Sequence, residues 1–273
     1  MSFNLQQGSY IYRGDAFGVS ARFDHPDKVT VPTQAQAVLA PSGGEAYSSV
    51  RNFNFKDAVV FDEATARVVG SQDPDGSYHT DANATIRNLR FLQVHADFIN
   101  MRIASVHRVT ETRRGVIDEA QVSFPGSVIN GLVIAGHPIA LTYDETWSEF
   151  PTYEGFRNAY PKRGFVYKHG TMKDAIIHDT IVSRIDGVQT LSKDEAKALM
   201  KDPNATLPGL RAYANVVLVP QFGKIFIGEV LIERGVRRIN MLRIELGCGT
   251  GGGGSAGGGT GDGGDIPPEN PSY

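Results

Sequence analysis

At 273 residues with a net charge of −3, the chain can build one large domain or two small ones, and it lacks the basic field that nucleic acid or an anionic membrane attracts. Its one cysteine, Cys248, excludes an internal disulfide framework and any cysteine-rich zinc or iron–sulfur site. No apolar run approaches the roughly 20 residues of a membrane helix, and Met1 leads into no basic or apolar leader, so the chain is read as cytoplasmic or as numbered after a removed signal.

In chain order, residues 8–23 predict a first strand, with Phe17, Val19, Ala21 and Phe23 alternating against Gly18, Ser20 and Arg22. His25-Pro26-Asp27 ends it. Arg13-Gly14-Asp15 falls beside this strand rather than at a loop tip and is read as a chance tripeptide. Short extended pieces follow up to the loop Pro41-Ser42-Gly43-Gly44.

The chain then repeats itself. Ser49-Val50-Arg51-Asn52-Phe53 returns as Thr85-Ile86-Arg87-Asn88-Leu89 and, more weakly, as Ser127-Val128-Ile129-Asn130-Gly131-Leu132, at intervals of 36 and 42 residues. Between the copies lie alternating stretches and the turn Asp73-Pro74-Asp75-Gly76, which predict long antiparallel hairpins. Ile86 and Leu89 are three apart, as are Val50 and Phe53, so strict alternation cannot hold both on one face. A bulge or bend at each Asn is expected. A stacked Asn ladder in a parallel β-solenoid is the alternative.

Residues 143–175 form a helical, aromatic insertion. Trp147, Phe150, Tyr153, Phe156 and Tyr160 recur at helical spacing, which predicts a short helix pressed on a sheet. Trp147, Tyr153 and Phe156 are its candidate ligand-stacking rings. Ser192 and Glu195 form a capping box for a short helix at about 193–201. Residues 224–233 and 237–246 then flank Arg234-Gly235 as a closing hairpin, and the pairs Arg113-Arg114 and Arg237-Arg238 are placed at solvated hairpin tips. A single β-rich domain over 1–246 is expected, with 247–273 as a flexible glycine- and proline-rich tail. Cys248, Pro267, Pro268 and Tyr273 are the tail's candidate docking residues.

The search for chemistry assigns no catalytic, cofactor-binding or metal-ligating residue. None of the seven histidines shares a helical or strand spacing typical of metal sites, and no nucleophile elbow or phosphate loop is present. Two glycosylation sequons start at Asn83 and Asn204.

Gly14-Asp15-Ala16-Phe17-Gly18-Val19-Ser20, the segment Asn130 to Ile139, and Gly223 to Glu229 followed by Arg238 to Leu242 resemble segments of the bacterial choice-of-anchor P surface proteins. The resemblance spans most of residues 8–246. It implies secretion and a variable C-terminal attachment, and it carries no catalytic residues. The expected protein is therefore all-β and sandwich-like, built from repeated long hairpins with one or two short helices. Its expected role is a non-enzymatic, extracellular structural subunit whose tail docks on a partner or a neighbouring copy. A binding module for an apolar ligand or carbohydrate is the alternative. An enzyme using His95, His107, His178 and Asp179 is the third reading, to be revived if several of them converge.

Overall fold

The structure is a computed structural model that describes residues 10–25, 28–108, 120–149, 151–163, 168–169, 176–196, 209–233, 236–247 and 251–265. Six strands open it: β1 (Tyr10–Phe23), β2 (Val29–Val38), β3 (Gly44–Phe55), β4 (Val59–Gln72), β5 (Tyr78–Phe91) and β6 (Val94–His107). Short strands follow: β7 (Gln121–Ser123), β8 (Val128–Asn130), β9 (Val133–Ile134), β10 (His137–Pro138) and β11 (Ala140–Tyr143). A 3-10 turn at Glu145–Glu149 and a helix α1 (Tyr153–Arg163) interrupt them. The chain returns to strand in β12 (Lys168–His169), β13 (Ile176–Thr180), β14 (Val182–Asp186), β15 (Gln189–Thr190), β16 (Arg211–Tyr213) and β17 (Val216–Val219). Three long strands close it: β18 (Gly223–Glu233), β19 (Val236–Leu246) and β20 (Gly252–Asp265).

Two sheets face each other across one apolar core, so the protein is an all-β, sandwich-like fold. The first sheet runs β15-β16-β17-β18-β19-β20-β1-β2, with β13 also on β18. The second runs β10-β9-β6-β5-β4-β3, with β7 and β8 also on β6. The long ladders are antiparallel hairpins, and a parallel contact occurs between the short β15 and β16. This is the repeated-hairpin architecture, not a solenoid. The turn after β4 closes as its residues dictate, with Gly76 in the left-handed region (φ 86°) and its amide donating to Asp73 O at 2.9 Å.

The glycine segment is not a flexible tail. Residues 252–265 are an inner strand of the first sheet, paired with β1 from Tyr10↔Asp265 to Phe23↔Gly252 and with β19 from Arg238↔Thr260 to Glu245↔Gly253. The ladder satisfies its backbone from both sides, which offsets the ordering entropy that makes such a sequence disordered in isolation. The domain boundary expected after residue 246 is thereby corrected. The inner face of β20 also needs its missing side chains. A Cβ on Gly254 would lie 2.5 Å from the ring of Phe91, and one on Gly259 would lie 2.5 Å from Met101 Cε and 2.6 Å from Asp15 O. Large side chains of the second sheet fill the room that the glycines leave. Burying Phe91, Ile99, Met101 and Ile103 from water stabilises the sandwich by about 2 kcal/mol each.

Each sheet is creased along a line across its strands. In the second sheet the line runs through Asn52, Asp62, Asn88 and Asp97 to Gly131, the level at which the ladders skip a pair without inserting a residue. Asn52 (φ 53°), Asn88 (φ 52°) and Gly131 (φ 64°) are left-handed there, on alternate strands. Asn is among the few side chains that tolerate this region, and Asn88 Nδ2 donates to Asp62 Oδ2. The bend expected at the repeated Asn is thus present. In the third copy, however, the bent residue is Gly131, one place beyond Asn130. In the first sheet the line runs through Ala35, Gly18, Gly257, Met241 and Gly228, with Ala35 (φ 52°), Gly257 (φ 62°) and Gly228 (φ 59°) left-handed.

The aromatic insertion is two pieces rather than one helix. Thr152 Oγ1 accepts from Gly155 N at 3.1 Å and starts α1 afresh, and α1 runs on past Pro161. The capping box forms as read: Ser192 N and Oγ both donate to Glu195 Oε2, at 2.8 and 2.7 Å. Of that helix, residues 193–196 are described.

Candidate ligand cleft on the outer face of the first sheet

The crease at Gly228 borders a cleft on the outer face of the first sheet. On β18, Phe226 and Glu229 face outward while Ile227, Gly228 and Val230 are buried, so the bend brings two outward residues to a spacing of three. The same step on β19 puts Asn240 and Arg243 outward around buried Met241 and Leu242. Register places Arg243 directly opposite Phe226 and Asn240 opposite Glu229. Arg243 therefore lies over the Phe226 ring, its guanidinium 3.6 Å from the centroid, and reaches diagonally to Glu229.

The pairing is two-pronged: Arg243 Nε donates to Glu229 Oε2 at 2.6 Å and Nη2 donates to Glu229 Oε1 at 2.8 Å. Nη1 takes Glu245 as well. Burial pulls the Arg243 guanidinium down, but the hydrogen bonds and charges of Glu229 and Glu245 outweigh that and hold its pKa above the ordinary arginine value. Glu229 is 8% exposed, so losing Arg243 would leave a nearly buried side chain without its hydrogen-bond partner.

Around the pair lies a cleft of about 420 Å³ lined by His178, Asp179 and Thr180 from the end of β13, by Tyr213, Asn215, Val216 and Leu218, and by Lys224 and Ala196. Thr180 is braced from behind, accepting from Trp147 Nε1 through its carbonyl at 3.0 Å and donating from Oγ1 to Ile227 O at 3.2 Å. Asn215 Nδ2 donates to the same Ile227 carbonyl at 3.1 Å. An apolar cleft with a few fixed polar groups is the usual form of a small-molecule site.

Of the residues singled out in the sequence, His178 and Asp179 meet in this cleft. His95 and His107 do not: both lie on β6, His95 beside Asp97 at the surface and His107 buried against Tyr10. Trp147, Tyr153 and Phe156 are core residues rather than stacking rings, 6%, 6% and 1% exposed, with Trp147 stacked on Phe156 at 4.9 Å. Arg237 is no solvated tip either; it is buried beneath Tyr153, and only Arg238 faces water. Cys248, Pro267, Pro268 and Tyr273 lie outside the described residues, as do Arg113, Arg114 and the sequon at Asn204. Asn83 of the other sequon is tied into the sheet, donating to Asn100 Oδ1 and Met101 O. Arg13 to Asp15 lies inside β1 rather than beside it.

Ser77, His79 and Asp73 also gather at the β4–β5 turn, a cluster that residue spacing alone does not reveal. They do not form a catalytic triad. Ser77 Oγ and Asp73 both approach the same ring nitrogen, Nε2, at 3.2 and 2.8 Å, whereas a triad needs opposite nitrogens. The Ser77 hydroxyl donates instead to Asp75. Among the described residues, no three His, Cys, Asp or Glu side chains gather as metal ligands would.

Residues 10–233 match a family model described as a domain of unknown function, DUF8256. The chain belongs to that family. The DUF8256 match takes in β1 to β18, and with them the Phe226 and Glu229 side of the cleft. No curated protein and no solved structure matches the chain.

Proposed function

We propose that this DUF8256 chain is a non-catalytic binding module that takes a small hydroxyl-rich ligand in the cleft between β13, β17, β18 and β19. The observation that carries the reading is the Arg243–Glu229 pair, locked in a two-pronged geometry at the wall of a cleft that sets Tyr213, Val216, Leu218 and Phe226 beside the polar groups of His178, Asp179, Thr180, Asn215 and Lys224. Fixed donors and acceptors set in an apolar wall fit a molecule with both ring faces and hydroxyl groups. Both Glu229 oxygens accept from Arg243, which supports binding over hydrolysis.

The assembly reading loses the glycine part of its tail, because residues 252–265 fill an inner position of their own sheet. On the resemblance to choice-of-anchor P proteins, the module works at the cell surface, which fractionation of the producing cells tests. The cleft is tested by NMR titration of full-length protein with a library of small sugars and polyols. Shifts at Tyr213, Asn215 and Phe226, abolished in Phe226→Ala, are expected. Shifts confined to residues elsewhere overturn the reading.

A further inference from the structure

The cleft does not end at Arg243. Arg243 and Glu245 also wall a second depression, of about 680 Å³, whose other side is Arg22, Thr30 and Thr33 and whose floor is residues 252–255 of the glycine strand. Ser255 in turn belongs to both this depression and a third, of about 460 Å³, bounded by Arg13, Phe17, Asn240 and Thr260. All three open on the outer face of the first sheet, and the crease explains why. At that level Gly18, Gly257, Met241 and Gly228 are turned into the core, so between the flanking outward residues the outer face carries no side chain.

The lining is balanced in charge. Five cationic and five carboxylate side chains border the three depressions. Several are paired with one another, as Arg22 is with Asp24 and Arg243 with Glu229 and Glu245. A polyanion or polycation would meet as much repulsion as attraction there. Paired ions, hydroxyls such as Ser255 and Thr260, and the Phe17 and Phe226 rings at either end suit an uncharged chain that presents many hydroxyl groups.

Resting on the cleft as a binding site, we infer that the outer face of the first sheet is a track for a linear neutral glycan. It crosses the strands from the Phe226 cleft over the glycine strand to Phe17. From β18 to β1 the track crosses three strand spacings, about 14 Å, which accommodates about three sugar rings.

The test is a glycan array carrying neutral, uronic-acid and sulfated oligosaccharides of increasing length, probed with full-length protein at low and high salt. Neutral chains should be retained at both salt levels, with affinity rising about tenfold or more from disaccharide to trisaccharide and then levelling off. Ser255→Arg places a bulky side chain at the junction of two depressions without touching the core. It should remove the gain with length and leave disaccharide binding in place. Disaccharides bound as tightly as longer chains, or a length dependence untouched by Ser255→Arg, overturn the track and keep the cleft. Retention of the charged glycans alone overturns the track's neutrality. Absence of any glycan binding while the NMR titration marks Tyr213 and Phe226 also sinks the track alone; absence of both sinks the cleft with it.

Discussion

The two sheets solve the same bend in opposite ways. In the second sheet the crease residues Asn52, Asp62, Asn88, Asp97 and Gly131 all face water, where polar side chains can bond one another and a left-handed Asn is tolerated. In the first sheet Ala35, Gly18, Gly257, Met241 and Gly228 all face the core, pressed toward the other sheet. A Cβ on Gly18 would lie 2.8 Å from Ala64 Cβ, and one on Gly257 would lie 2.9 Å from Ile99 Cγ2. At Asn52 and Asn88 the second-sheet crease is limited by backbone conformation, and at Gly131 also by the Asp97 side chain, whose Cβ would lie 2.8 Å from an added Cβ. The first-sheet crease is limited by conformation and by space along most of its length, and it leaves the outer surface at that level clear of side chains.

The largest expected effect comes from removing β20. A chain ending at Leu246 leaves β1 and β19 facing an empty slot and exposes Phe91, Ile99 and Met101. It should lose cooperative thermal unfolding and aggregate, as read by circular dichroism and light scattering; a stable monomer with native unfolding would show that the strand is dispensable. Next is a paired test of the creases. Gly18→Val should cost about 3 kcal/mol through overpacking, whereas Asn88→Gly should stay within about 0.5 kcal/mol. Equal shifts in the denaturant midpoint would erase the distinction between the sheets.

Arg243→Met strips a nearly buried carboxylate of its partner and should cost about 2 kcal/mol, given that Arg243 itself is a quarter exposed. Adding Glu229→Gln should recover part of that in a double-mutant cycle, and strict additivity would deny the coupling. Asn88→Ala keeps the left-handed bend with a residue that resists it and loses the bond to Asp62, for about 1 kcal/mol.

The smallest effect lies away from both creases, as a control. Side-chain and backbone bonds from Ser192 hold the Glu195 carboxyl below its ordinary pKa. Its folded value is then below its unfolded one, so the cap's contribution is present above the unfolded value and is lost as pH falls through the folded value. The Ser192 amide resonance should titrate in that acid range and stay flat in Glu195→Gln.

Much of the fold was legible in short-range chemistry. The turn at Asp73 to Gly76, the cap at Ser192 and the repeated Asn each act within a few residues, so sequence order displays them. The glycine strand was not legible, because what orders it is remote: ladder partners on β1 and β19 and rings from the second sheet. Composition alone describes the segment without those partners, and a glycine tract without partners is a linker. Trp147, Tyr153 and Phe156 misled for a related reason. An aromatic stripe gives its spacing but not whether a sheet covers it, and β13 does, through the Thr180 carbonyl. His178 and Asp179 were noticed without a place to put them; Phe226 and Arg243 went unnoticed because only register makes them opposite.

The pairing of Tyr10 with Asp265 also has a consequence for biosynthesis. Among the described strands, the one synthesised first takes its inner neighbour from the one synthesised last. The second sheet is made of consecutive hairpins and can assemble while the ribosome is still at work. In the first sheet β1 has to wait, with only β2 beside it, until β20 has emerged. Such long-range closure is slow and leaves apolar strands open to misassociation in the interval. A segment free of large apolar side chains is well suited to be the last piece in, since it carries little that could aggregate before it finds its slot.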